Sequence, residues 1–481
     1  MPAVTGLLAV CLLFGGSAMT SAAHVGKRAS AAKRTPIQIE NARHGYRGWS
    51  KGLFDYLGSS TAPIQGYASE MSASPGQTLD LHVSVQGTAR YRIQIFRLGW
   101  YGGVGARLVG CVPGCGGAKH GKAQPMPSPD SKTGEIVAHW PVTDRVRTRS
   151  SWVSGYYIAK LILLSGAHHG QANYVAFVLR ASSRSSSTIL VEASVNTWQA
   201  YNGWGGKSLY DFNSGGKAAV KVSFDRPNST NNSIFMWEYP FARFLERNGY
   251  DVAYTTDVDT DRDPAQLLHH RLVIDSGHGE YWSKRIRDAF DAAKASGVNL
   301  AFLGADIGDW QIRYEDNQRT IVEYRDASRD PETDPALKTT RFRDLATPRP
   351  QCQLLGIQYQ GGFRSDFPQP TDYHVNSAAA SDPWFAGTHF TASSTLPGLV
   401  GYEWDGLKAG CAAQQPIVLF HASGPPNADA VKYVAASGAK IFSSGSLQFV
   451  WGLDNWGQSR RYANPHLVGF MKNALADLTK R

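Results

Sequence analysis

The stretch RLVIDSGHGEYWSKRIRDAFDAAKASGVNLAFLGAD, residues 271–306, decides how this chain reads. It opens on a short apolar strand, RLVIDSG (271–277), and passes through SKRIRDAFDAAKASG (283–297), a helix ending in glycine. It closes on a second apolar strand, VNLAFLG (298–304). A strand, a helix and a strand over short connections predict a parallel pair with its crossover. At the end of the first strand His278 and Glu280 stand two apart, fenced by glycines. In open α/β sheets ligands bind at the carboxyl ends of the strands, so that position reads as a site.

Working outward, the same texture runs on both sides. TILVEASV (188–195) is a continuous apolar strand, and FMWEYPFARFLERNGY (235–250) reads as an amphipathic helix. The strand DVAYTT (251–256) and the helix DPAQLLHH (263–270) follow. After 306–415, a long insertion without strong periodicity, the alternation resumes. It runs through PIVLFHA (416–422), ADAVKYVAASG (428–438), AKIFSSGS (439–446) and a last helix, NPHLVGFMKNALADLTK (464–480). This predicts a parallel, doubly wound, flavodoxin-like α/β domain over 188–481. Before it, residues 37–182 hold short alternating segments such as TLDLHVSVQG and GYYIAKLILLSG, bounded by Gly, Ser or Pro. They predict an all-β, Ig-like sandwich. ASSRSSST (181–188) is the polar bridge between the two, and no internal repeat is visible.

Bulk properties agree with two domains: 481 residues is too long for one ordinary core. Hydrophobic content of 42% and charged content of 18% describe a globular chain. The net charge of +10 is spread out, and its densest run, HVGKRASAAKR (24–34), is a basic arm without a nucleic-acid reader motif, so no nucleic-acid partner is expected. The apolar stretch Val4–Phe14, followed by Ser21-Ala22-Ala23, reads as a signal peptide over 1–23, although no Lys or Arg precedes it. A secreted, extracytoplasmic protein without stable membrane insertion is the expectation. Removing Cys11 leaves four cysteines, which allow three pairings. Proximity favours Cys111 with Cys115 across a Pro-Gly turn, leaving Cys352 with Cys411. CVPGC has no ligand partners nearby for zinc.

Three strand ends carry unusual chemistry. The first leads into NTWQAYNGWGGKSLYDFNSGG (196–216) with Tyr201 and Tyr210. Another carries His278 and Glu280, and the next leads to Asp306. Each also has a plainer reading. The tyrosines serve equally as half-buried aromatics, His278 as a cap for the helix that follows, Glu280 as a favourable charge at a helix start, and Asp306 as a strand terminator. A phosphate loop at GGKS is excluded because its first glycine would fall on Tyr201. A zinc deaminase is excluded because no Pro-Cys-x-x-Cys follows His278, and SGHGE has histidine where a nucleophile elbow needs Ser or Cys.

Taken in order, Ala-Tyr-Asn (200–202), Ser-Leu-Tyr-Asp (208–211), Arg226-Pro227 and the Thr-Asp pair at 256–257 begin a recognisable set. Gly-His-Gly-Glu-Tyr-Trp-Ser (277–283), Leu-Gly-Ala-Asp (303–306) with Trp310, and Gly-Tyr-Glu-Trp-Asp (401–405) complete it. With that set, residues 188–481 resemble the C-terminal domain of the N,N-dimethylformamidase large (beta) subunit family, whose fold resembles class I glutamine amidotransferases. The resemblance implies a mononuclear non-haem Fe(III) held by Tyr201, Tyr210 and Glu280, with His278 as a catalytic partner. A second catalytic partner, an asparagine in the family, falls here on Asp306, and the family's His-Pro-Glu is His-Gly-Glu. The formamidase also works inside the cell with a small subunit, whereas this chain reads as exported.

The implied ligand set is chemically coherent. Phenolate and carboxylate are hard anionic donors suited to a highly charged cation. Free tyrosine titrates near pH 10, so the metal must drive its deprotonation. His278 is placed to take a proton from water and return it to a leaving amine. The sequence therefore supports two functions. One is an exported, iron-dependent hydrolase of C–N amide bonds acting on a small-molecule amide or a cell-wall-derived substrate. The other is a non-catalytic, extracellular carbohydrate or cell-wall binding protein with a degenerate site. The oligomeric state is open.

Overall fold

Nine strands form the central sheet of the computed structural model. In chain order they are β1 (Ile189–Ala193), β2 (Val252–Thr256), β3 (Leu272–Ser276), β4 (Asn299–Leu303) and β5 (Thr371–Val375). β6 (Thr395–Val400), β7 (Ile417–Ala422), β8 (Ala428–Val434) and β9 (Lys440–Ser443) complete it. Their spatial order is β2-β1-β3-β4-β9-β8-β7-β5-β6. From β2 to β9 every pairing is parallel, and from β9 to β6 every pairing is antiparallel. β1, β2 and β3 are buried at every position, as strands covered on both faces must be. The covering helices follow from local signals. In α2 (Lys284–Ala295) the Ser283 side chain accepts from the Ile286 amide, and Ile286, Ala289, Phe290 and Ala293 make the buried stripe.

This sheet corrects the fold class expected from sequence. It is mixed, not a flavodoxin-like parallel doubly wound sheet, and together with the other sheets it makes the molecule a β-rich, sandwich-like build. The misreading centres on ADAVKYVAASG, whose first seven residues form strand β8 rather than a helix. Val431, Tyr433 and Val434 favour the pleated surface. Only five residues separate β7 from β8, and five separate β8 from β9. Links that short build antiparallel hairpins, whereas a parallel crossover needs a dozen residues or more. β5 and β6 come from the stretch without periodicity, 306–415, and extend the antiparallel half. The segment DPAQLLHH forms a 3-10 helix, Pro264–His269.

Before the central sheet, residues 64–179 supply a three-stranded and a six-stranded antiparallel-rich pair of sheets. Leu81, Val83, Ile93, Leu161 and Phe177 share the core between them. The outer faces are not bare. Trp49, Phe96, Tyr156 and Val178 join one continuous core with Val191, Phe241 and Tyr254 around the central sheet. Two disulfides, Cys111–Cys115 and Cys352–Cys411, are formed. No helix among the described residues is long and apolar enough to cross a membrane.

The structure describes residues 34–56, 58–181, 185–230, 234–362, 370–424 and 427–480. Thr35–Arg481 is one compact unit. The expected signal peptide, 1–23, and all but the end of the basic arm, 24–36, lie outside the described residues.

Candidate active site

Backbone crowding at the ends of β3 and β4 explains the glycines around His278. A Cβ on Gly304 would lie 1.9 Å from the Gly277 carbonyl oxygen, and Gly277 itself adopts φ +108°. A Cβ on Gly279 would lie 2.4 Å from an Asp275 carboxylate oxygen. Only glycine lets the two strand ends approach so closely and turn His278 and Glu280 back over the sheet edge. The turn is pinned from both sides. The Glu280 amide donates to Thr197 Oγ1 at 3.1 Å, and the Trp310 amide donates to the Glu280 carbonyl at 3.1 Å.

The tyrosines arrive on a different element. Tyr201 caps α1 (Val195–Ala200), and the loop after it returns Tyr210 beside it. Arg226, fully buried, holds that loop by donating to the carbonyls of Lys207 and Trp204 at 2.7 and 3.2 Å. Asn213 Nδ2 donates to the Tyr201 carbonyl at 3.0 Å. The ring centroids of Tyr201 and Tyr210 are 4.2 Å apart.

The Tyr210 hydroxyl donates to Glu280 Oε1 at 2.7 Å and lies 2.9 Å from Oε2. It accepts from the Tyr281 hydroxyl at 2.6 Å, and Tyr281 in turn accepts from Arg325. The Arg325 guanidinium also sits 4.3 Å over the Tyr210 ring. His278 Nε2 is 3.3 Å from Glu280 Oε2 and 2.7 Å from Glu403 Oε2. The Tyr201 hydroxyl is 3.5 Å from Glu403 Oε1. Asp306, at φ +55°, is held by its amide donating to Asp405 Oδ1 at 2.9 Å, while Gln351 Nε2 donates to its carboxylate at 3.5 Å. One donor atom each from His278, Glu280, Asp306 and Glu403 lie within 4.8 Å of one another.

All five residues singled out from sequence thus meet in one place, and the structure adds Glu403. It stands on a two-stranded ribbon of Gln358–Gly362 and Glu403–Gly406. Its sequence signal was the run Gly-Tyr-Glu-Trp-Asp, in which Tyr402 adopts φ +60°, a conformation costly for a bulky residue.

The electrostatics are crowded. Burial pulls the His278 pKa down, but Glu403 and then Glu280 outweigh it and set it at about 9. Burial raises the Glu403 carboxyl against the pull of His278. Burial, then Asp309, Glu280 and Glu403, push Asp306 well above the carboxylate range. Burial and Glu280 likewise push Tyr201 and Tyr210 well above the usual phenol value. Two phenols and three carboxyls packed this closely repel one another once ionised, and only protons or a cation relieve that. A hard cation suits an oxygen-rich set of this kind, so the residues fit the metal that the family resemblance implies. Above the cluster opens a cleft of about 690 Å³, lined by Tyr201, Tyr210, His278, Tyr359, Tyr402 and Glu403 among others.

Fold and site together define a β-rich protein with a buried anionic oxygen cluster at the edge of a mixed sheet. The model of the family described as N,N-dimethylformamidase beta subunit-like, C-terminal, matches residues 92–464, and the chain belongs to that family. The match begins inside the six-stranded sheet and so takes in most of the sandwich strands as well. No curated protein matches the chain in sequence. Among solved structures, an "mmIFT52 N-terminal domain" is 12% identical with a TM-score of 0.28, covering 49% of this chain and 87% of its own. SoxY, a sulfur carrier protein from Chlorobium limicola f thiosulfatophilum, is 12% identical with a TM-score of 0.14, covering 25% and 81%. Likeness this low bears on neither fold nor function.

Proposed function

We propose that the chain is an exported, metal-dependent hydrolase of C–N amide bonds. The observation that carries this reading is the meeting of Tyr210 with both oxygens of Glu280, with the Tyr201 ring packed against Tyr210 and His278 alongside. In this reading Tyr201, Tyr210 and Glu280 hold one ferric ion. When bound, such an ion supplies Lewis-acid polarisation of a carbonyl and acidifies water. The protein's own groups then move the protons. The His278 imidazole, in its neutral form, takes a proton from the attacking water and delivers it to the departing amine nitrogen, so that water and amide become acid and amine. Glu403, 2.7 Å away, orients the imidazole and stabilises its charged form. Asp306, kept neutral by burial and its acidic neighbours, donates a hydrogen bond where the family places an amide. Export is supported by the apolar stretch Val4–Phe14 and by the two disulfides.

A carboxyl group at Asp306 also favours the second reading, a site that binds without turning over. Simple amides offered to the protein before and after removal of iron by a chelator separate the two. The hydrolase reading expects amine release that stops on chelation and returns with iron. Binding without release in the iron-loaded protein supports the second.

A further inference from the structure

We propose that the cleft above the cluster takes a neutral amide carrying a six-membered ring, an N-acylated amino sugar or an anilide, in preference to a small open-chain formamide. This rests on the hydrolase reading for where the amide lies, and on the cleft's own walls for the rest.

The first observation is size. At about 690 Å³ the cleft falls within the roughly 300–1,000 Å³ range that encloses drug-sized ligands. A dialkyl formamide would fill only a small part of it. The second is a ladder of rings leading from the cluster to solvent. Centroids step 5.4 Å from His278 to Tyr201, 4.2 Å to Tyr210 and 5.3 Å to Phe212. All four line the cleft. Phe212 is 71% exposed, the most open of the large hydrophobic side chains among the described residues. Trp237 and Tyr402, edge to face at 5.2 Å, line the same cleft. Phe212 opens to solvent and Tyr201 and Tyr210 are half-buried behind it, an aromatic wall against which the face of another ring can lie. The third is charge. Among the described residues lining the cleft none is Lys or Arg, and the ionisable groups besides the phenols are His278 and Glu403 at its base. The His278 imidazole is already paired with Glu403 at 2.7 Å and Glu280 at 3.3 Å, so a body bearing a carboxylate would meet acid on these walls, and the complementary ligand is uncharged.

The test uses four probes: N,N-dimethylformamide, acetanilide, N-acetylglucosamine and 4-acetamidobenzoate. Calorimetry gives affinity with the protein as purified, and kcat/KM is taken on the iron-loaded protein. At least one neutral ring-bearing probe should bind about tenfold or more tighter than dimethylformamide, and 4-acetamidobenzoate more weakly than acetanilide. Phe212→Ala should cost that ring-bearing probe about three- to tenfold in affinity, the range expected of one aromatic contact, and leave dimethylformamide unchanged. Whichever of acetanilide and N-acetylglucosamine shows the Phe212 dependence names the body that the cleft takes. Equal affinity for small and ring-bearing amides, or indifference of both ring-bearing probes to Phe212→Ala, overturns the inference. Ring-dependent binding without any amine release supports the inference while overturning the hydrolase reading.

Discussion

His278 lies between two carboxylates, and only one of them was visible in its own stretch of sequence. Glu280 is two residues away, whereas Glu403 reaches the imidazole from a ribbon in a region without hydrophobic period. Nothing local marks a glutamate as a partner for a histidine so far along the chain. The glycines around His278 were legible as residues, and the structure accounts for them: Gly277 adopts φ +108°, and a Cβ on Gly279 would lie 2.4 Å from an Asp275 carboxylate oxygen. Asp306 offers a test at this scale. Burial, and then Asp309 and Glu280, raise its pKa in the folded protein above the unfolded value of about 4. The folded state therefore holds its proton more tightly. The stability this contributes is full below the unfolded value and is lost as pH rises through the folded value. In the metal-free protein, Asp306→Asn should be the more stable form at neutral pH, and its advantage in melting temperature should widen as pH rises from about 4. An advantage that does not change with pH would contradict the assignment. In the iron-loaded protein the same substitution should flatten the alkaline limb of amide hydrolysis.

The elements divide by how local their signals are. β1 to β4 and the helices Glu238–Arg247 and Lys284–Ala295 were legible because continuous apolar strands alternate with amphipathic segments, whereas the short helices Val195–Ala200 and Asp257–Arg262 were not. β8 was not, because alanines with Val431, Lys432 and Tyr433 fit helix and strand almost equally, and the short links on either side decide. β5 and β6 lie in a stretch whose pairing partners are distant, so tertiary contact rather than period makes them strands. Within that stretch Cys352–Cys411 closes a loop with a sequence separation of 59 that includes both Tyr359 and Glu403. Replacing both cysteines by serine should lower stability by about 2–4 kcal/mol in denaturant titration. The chain lacking residues 1–23, denatured but unreduced, should show no reactive thiol. Two free thiols would mean that the loop is open in the working protein.

At the scale of the molecule, the sandwich and the central sheet share one core, and the family match runs across both. The short alternating strands before residue 182 were legible in their turn spacing. The switch from parallel to antiparallel at β9 was not, since it depends on which distant strands meet. The central claim is that this assembly exists to bring Tyr201, Tyr210 and Glu280 onto one hard cation. Metal content of the purified, iron-loaded chain tests it most directly, set beside a Tyr201→Phe/Tyr210→Phe/Glu280→Gln variant whose fold is checked by circular dichroism. The account predicts about one iron per chain in the wild type, with the visible absorption of a phenolate–iron(III) pair, and neither in the folded variant. A wild type that takes up no iron, or a variant that binds as much, would contradict it.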